Sequence, residues 1–315
     1  MAKKTLSAVI AAALATAILP AGISSAEPNG KDALMDHEES RAAKRYAVIY
    51  CPGSLKDKGV YPDQFDEGLK NAYLIAIANI YSDLRNIGFA SEDIEVLYHD
   101  GTYDASETRD KDLIDLLARE KFGSAPVPAS RRNLERCIFR FEGRISANDE
   151  FVFVIMNHGD REGKTLVRYY INGYGGDLAD RIFPSYIRGL LSGIKAEHQF
   201  YVVDSCYSGG FAEELAGKDR IVFSSSSKDS MSVGSRIDFF ARSLFDAMSS
   251  DDTDLDSNGN ISLAEAFSVA LDRRKHEVAE QERHGHLGGY RAEGFYPKSF
   301  NLEKKGYNVR NVCRR

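Results

Sequence analysis

The stretch Phe151-Val152-Phe153-Val154-Ile155-Met156 is apolar at every position. A strand with one wet face alternates apolar and polar residues, so an unbroken run of β-formers needs cover on both faces, as in the middle of a parallel sheet. Tyr46 to Cys51, ended by Pro52-Gly53, is a run of the same kind, and Ile94 to Tyr98, Gln199 to Val203 and Arg220 to Ser224 also read as strands rich in β-formers. Between them lie helical patterns. In 66–86, Leu69, Tyr73, Ile77, Ile80 and Leu84 recur at spacings of three and four, and Gly88 stops the helix. Further helical patterns fall at 111–121, 130–141, 184–191, 236–248 and 262–283, and Asn172-Gly173 within 165–175 predicts a hairpin or flap. This alternation predicts an α/β three-layer sandwich, with a mostly parallel central sheet of about six strands and helices on both faces.

The chain has 315 residues, 43% of them apolar, which is enough for a sizeable core. Lys plus Arg number 41 against 47 Asp plus Glu, a net charge of −6, the opposite of the balance that phosphate neutralisation requires, so nucleic acid is excluded as partner. Residues 1–26 carry Lys3-Lys4, an apolar stretch from Ala8 to Leu19, Pro20 and the small-residue exit Ser24-Ser25-Ala26, the pattern of a secretory signal peptide. The apolar stretch is short for a bilayer. Residues 27–44 read as a polar leader and 45–315 as the folded domain. These features predict a secreted or periplasmic protein with no membrane span in the mature chain. Of the four cysteines, Cys51, Cys137, Cys206 and Cys313, one working thiol leaves room for at most one bridge, such as Cys137 with Cys313. A buried thiol is the equal alternative for each.

In an open α/β sheet, ligands bind beyond the carboxyl ends of the strands. Two such ends carry reactive residues here: Asn157-His158-Gly159-Asp160 after Met156, and Asp204-Ser205-Cys206-Tyr207-Ser208-Gly209-Gly210 after Val203. A thiol attacks carbonyl carbon and an imidazole protonates the leaving amine, while the N–H groups of Gly159 and Cys206 are placed to hold an oxyanion. An α/β-hydrolase is excluded, because Asp204 breaks the small-residue elbow and His158 precedes the nucleophile. A non-enzymatic, secreted peptide-binding scaffold is the alternative from a different class.

The His-Gly block and the Cys-Tyr-Ser-Gly-Gly block together resemble cysteine peptidases of caspase-like fold. The nearest likeness is to legumain-type enzymes and their bacterial relatives, and the metacaspases come second. The resemblance spans about residues 46–270 and includes the helix, Gly88 and strand of 71–101. It implies a caspase-like sandwich acting on a peptide or protein substrate, His158 and Cys206 as catalytic dyad, and Gly159 at the oxyanion. It implies further that Asp204 lines the pocket for the residue before the scissile bond, with Ser226 and Ser227 in the pocket wall. Asp at this place in metacaspases goes with Arg or Lys preference, whereas the Glu of legumains goes with Asn.

A separate motif follows. Asp254, Asp256, Asn258, Asn260, Ser262 and Glu265 supply oxygens at the positions of an EF-hand loop, with Gly259 at its sharp turn and Ile261 at its apolar eighth place. This predicts a structural Ca²⁺ site, no cofactor being needed for catalysis. The alternative is an acidic loop in which Glu265 only opens a helix. His276, His284 and His286 read as a solvated helix end.

Overall fold

Strand β3 (Glu150–Met156) lies near the centre of a six-stranded sheet. Phe151, Phe153 and Ile155 enter one apolar cluster, and Val152, Val154 and Met156 the other. That two-sided burial is what the unbroken apolar run required. The computed structural model describes residues 41–52, 72–102, 115, 127–163, 168–171, 173, 181–216, 220–232, 239–284 and 292–302. The elements below lie in one unit, Ala42–Arg315.

The other strands are β1 (Arg45–Cys51), β2 (Ile94–Tyr98), β4 (Gly159–Glu162), β5 (Arg168–Ile171), β6 (His198–Asp204), β7 (Ile221–Ser224) and β8 (Lys298–Phe300). The described helices are α1 (Ala72–Asn86), α2 (Arg131–Glu142), α3 (Pro184–Leu190), α4 (Ser208–Ala216), α5 (Phe240–Ser249) and α6 (Leu263–Arg283). The sheet order is β2-β1-β3-β6-β7-β8, parallel except for β8, which pairs antiparallel with β7. Helices α1, α5 and α6 cover one face and α2, α3 and α4 the other, giving a three-layer α/β sandwich. The chain steps outward from β1 to β2, then back across β1 to β3. The strand order therefore reverses beside β3, at the kind of place where open α/β sheets bind ligands.

Several expectations need adjustment. The hairpin exists, but it joins β4 to β5, and β4 ends beside Gly163 at φ +91°; Asn172-Gly173 comes after β5. Strand β8 is an addition, three residues on the sheet edge with too little pattern to be legible. Residues 1–40, Asn172, Cys313, His286 and, apart from Asp115, the helix expected at 111–121 lie outside the described residues. No disulfide joins the described cysteines Cys51, Cys137 and Cys206. Among the described residues no helix is long and apolar enough to cross a membrane.

Candidate active site

Strands β3 and β6 are direct parallel neighbours with Met156 level with Asp204, so the residues that follow each strand emerge side by side. The Asn157 N–H donates to the Asp204 carbonyl at 3.3 Å and carries the pairing one step past β3. Gly159 then passes against the other loop so closely that a Cβ there would stand 2.2 Å from the Cys206 carbonyl oxygen and 2.7 Å from Ser205 Oγ. Only a residue without a side chain fits this approach. His158 is exposed and Cys206 half-buried, so the imidazole and the thiol stand on neighbouring loops at one end of the sheet.

The Cys206 sulfur sits where α4 begins, and the backbone N–H groups of Ser232 and Gly159 stabilise its thiolate. Burial is the larger influence and pushes the thiol above its ordinary range, and the carboxylates of Asp204 and Asp160 push the same way. The group is therefore a neutral thiol at rest. Tyr207 adopts φ +57°, a left-handed backbone unusual outside glycine, and turns the chain sharply from β6 into α4. Its N–H donates to the Ser230 carbonyl at 2.9 Å.

A run of serine hydroxyls clamps the loop after β7 to the loop after β6. Ser225 and Ser226 Oγ both donate to the Ser205 carbonyl at 3.2 Å; the Ser205 N–H donates to Ser225 Oγ at 3.1 Å and the Ser226 N–H to Ser208 Oγ at 3.0 Å. Ser226 is 0% exposed, so its side chain holds the loop of Cys206 and faces no solvent. Ser227 is half-buried, its N–H bonded to the Gly294 carbonyl at 2.8 Å. Asp204 is 2% exposed, and its Oδ2 accepts the Ala241 N–H at 2.8 Å, in the first turn of α5. In this structure Asp204 serves as the cap that α5 lacks from its own N-cap residue, Phe239.

Residues that the sequence did not single out complete the surroundings. Tyr73, at the start of α1, meets the His158 ring at 6.1 Å between centroids, and burial, with the charges of Cys51, Asp204 and Cys206, pushes its hydroxyl well above the usual range. Arg161 pairs with Asp229 at 3.0 Å and lies over the Tyr207 ring at 4.9 Å, tying the hairpin to both loops. Gly210 is closed over by Tyr169, whose ring atoms would come within 2.4 Å of a Cβ there. Asp160 accepts from the Tyr170 hydroxyl at 3.2 Å. Sequence position next to His158-Gly159 was a signal for Arg161, whereas Tyr73 had none beyond its place in a helical pattern.

The acidic loop lies apart in sequence and leads into α6. Asp254, Asp256 and Glu265 each bring a carboxylate oxygen within 4.8 Å of the others. Gly259 takes φ +82°, and Ile261 is buried at the sheet-side cluster, as the eighth position of such a loop requires. Glu265 also closes a capping box with Ser262, accepting its N–H at 2.8 Å, and accepts the Leu255 N–H at 2.9 Å. Burial alone raises its pKa, but these hydrogen bonds outweigh it and hold the carboxylate below its ordinary range. Asn258 and Asn260 bond within the loop, the Asn260 N–H donating to Asn258 Oδ1 at 2.9 Å. The donor set is all oxygen and suits a hard cation, and the same geometry serves a helix start. His276 is exposed on α6, and His284 Nδ1 meets the Glu280 carbonyl at 2.8 Å at the end of that helix.

No family model and no curated protein matches the chain. Among solved structures, the crystal structure of protein GSU0716 from Geobacter sulfurreducens is similar at 13% identity, covering 82% of this chain and 92% of that one with a TM-score of 0.47.

Proposed function

We propose that this chain is a cysteine endopeptidase of the caspase-like kind, with Cys206 as nucleophile and His158 as acid to the leaving group. The observation that supports it best is the close approach of Gly159 to the loop of Cys206, on the loops that follow two adjacent parallel strands. In the first step Sγ bonds to the scissile carbonyl carbon and gives up its proton towards His158. The carbonyl oxygen becomes an oxyanion, held by the N–H groups of Gly159 and Cys206. His158 then protonates the departing amine as the C–N bond breaks, and water hydrolyses the thioester to release the acid and restore the thiol.

The substrate is a peptide or protein, cleaved after Arg or Lys if Asp204 meets the side chain, or after Asn or Asp if the legumain likeness governs. Ca²⁺ is proposed as a structural ion at Asp254, Asp256, Asn258, Asn260, Ser262 and Glu265. Export to the periplasm or beyond the cell is proposed from residues 1–26. The raised pKa of Cys206 favours the alternative of a silent peptide-binding scaffold, since a resting thiolate would have argued the other way.

A fluorogenic panel with Arg, Lys, Asn or Asp before the scissile bond, run on wild type and Cys206→Ala with and without calcium, tests the reading. Cleavage by wild type alone is the expected result. Cleavage by neither protein would sink the enzyme, and cleavage by both would remove Cys206 as nucleophile.

A further inference from the structure

An imidazole that protonates a leaving amine works only from a narrow range of ring positions, and misplacement by about 1 Å costs on the order of a hundredfold in rate. His158 stands exposed just beyond the end of β3. The Tyr73 ring meets the His158 ring at 81°. Tyr73 is itself buried and stacked on Phe239, at 4.7 Å between centroids and 24° between planes. Phe239 is the residue before α5, and the N–H of Ala241 in the first turn of α5 donates to Asp204 at 2.8 Å. Asp204 ends β6, two residues before Cys206.

These contacts run in series from one candidate loop to the other: Cys206, Asp204, α5, Phe239, Tyr73, His158. We propose that Tyr73 is the positioning residue of His158, its ring setting the imidazole against the thiol through a stack anchored on the nucleophile's own strand. This rests on the peptidase reading above. The ring carries the effect, so Tyr73→Phe keeps it and Tyr73→Leu loses it.

The test uses full-length protein and two readouts. Steady-state kinetics on the panel peptide that wild type cleaves fastest should show kcat falling about ten- to a hundredfold in Tyr73→Leu with KM nearly unchanged, and Tyr73→Phe restoring kcat. The ring signals of His158 in histidine-labelled NMR spectra, assigned with His158→Gln, should lose the ring-current shift of the tyrosine in Tyr73→Leu and keep it in Tyr73→Phe. Phe239→Leu, which removes the stack behind Tyr73, should give a weaker loss of the same kcat-selective kind and stands in should Tyr73→Leu fail to fold. Unchanged kcat in Tyr73→Leu, a loss confined to KM, or an unmoved His158 signal would overturn the assignment while leaving the peptidase intact. A wild type that cleaves no peptide removes the peptidase reading, and this assignment goes with it.

Discussion

At the scale of single residues, the close approach of the two candidate loops depends on one atom that is absent, the Cβ of Gly159. Forcing it in places carbon 2.2 Å from the backbone carbonyl of Cys206, and backbone cannot give way as a flexible side chain can. Gly159→Ala is therefore expected to destabilise the fold by about 1–3 kcal/mol and to lower kcat by more than about tenfold. Gly189→Ala, in α3 with nothing within 4 Å of the added carbon, is the control, expected to stabilise by up to about 1 kcal/mol through helix propensity. Thermal melts and kinetics on the pair check both. The thiol offers a second prediction. Because burial and two carboxylates hold its proton, the iodoacetamide reaction of Cys206 should rise with pH and reach half its maximum above the ~8.5 of an ordinary thiol. A midpoint below that would mean a cation the structure does not place there. The His158-Gly159 and Cys206 pair was legible because each follows an apolar run, and strand ends are where such chemistry gathers. The capping role of Asp204 was not, because its partner Ala241 lies 37 residues away and only the packing of α5 brings it near.

At the scale of elements, the strands were legible almost to the residue, since β1 and β3 are built on apolar runs, and the start of α2 was legible too, where Ser130 caps it by accepting the Asn133 N–H. The start of α5 at Phe240, against the expected 236, was not, because its Phe239 N-cap makes no side-chain bond and the first turn is held by Asp204 from β6. The contact between α1 and α5 holds both Tyr73 and Phe239, and it contains a buried acid. Asp83 on α1 accepts from Ser249 Oγ at 2.8 Å at the end of α5. Burial raises its pKa to about 6; Asp246 adds to this, and Ser249 and Arg242 oppose it. The folded state thus holds this proton more tightly than the unfolded state does. Its contribution is fully favourable below about pH 4, fades as pH rises through about 6, and leaves a buried charge at neutrality worth on the order of 2 kcal/mol. Asp83→Asn keeps an oxygen for Ser249 and should raise the melting temperature at pH 8 but not at pH 4. Equal shifts at both values would show that the carboxyl does not titrate in this range.

At the scale of the whole molecule, the three-layer architecture followed from alternation of strand and helix, but the order of the strands did not. Nothing in the sequence says that the chain steps back across β1, or that β6 then adds beside β3 and sets the two candidate loops next to each other. The long helix α6 begins at a loop whose sequence supports two roles, cation binding and helix capping. The two separate in one substitution. Glu265→Gln leaves a side chain that still completes the capping box with Ser262, yet removes the charged bidentate oxygen a calcium ion needs at that place. If the loop binds calcium, the ion at about a hundred times its dissociation constant stabilises wild type by about 2.7 kcal/mol, a shift of several degrees in melting temperature. Glu265→Gln and Asp254→Asn should then melt near wild type without calcium and gain little from it. If the loop only starts α6, calcium leaves wild type unmoved, and Glu265→Ala, which breaks the box, is the variant that lowers the melting temperature, by an amount that calcium does not alter.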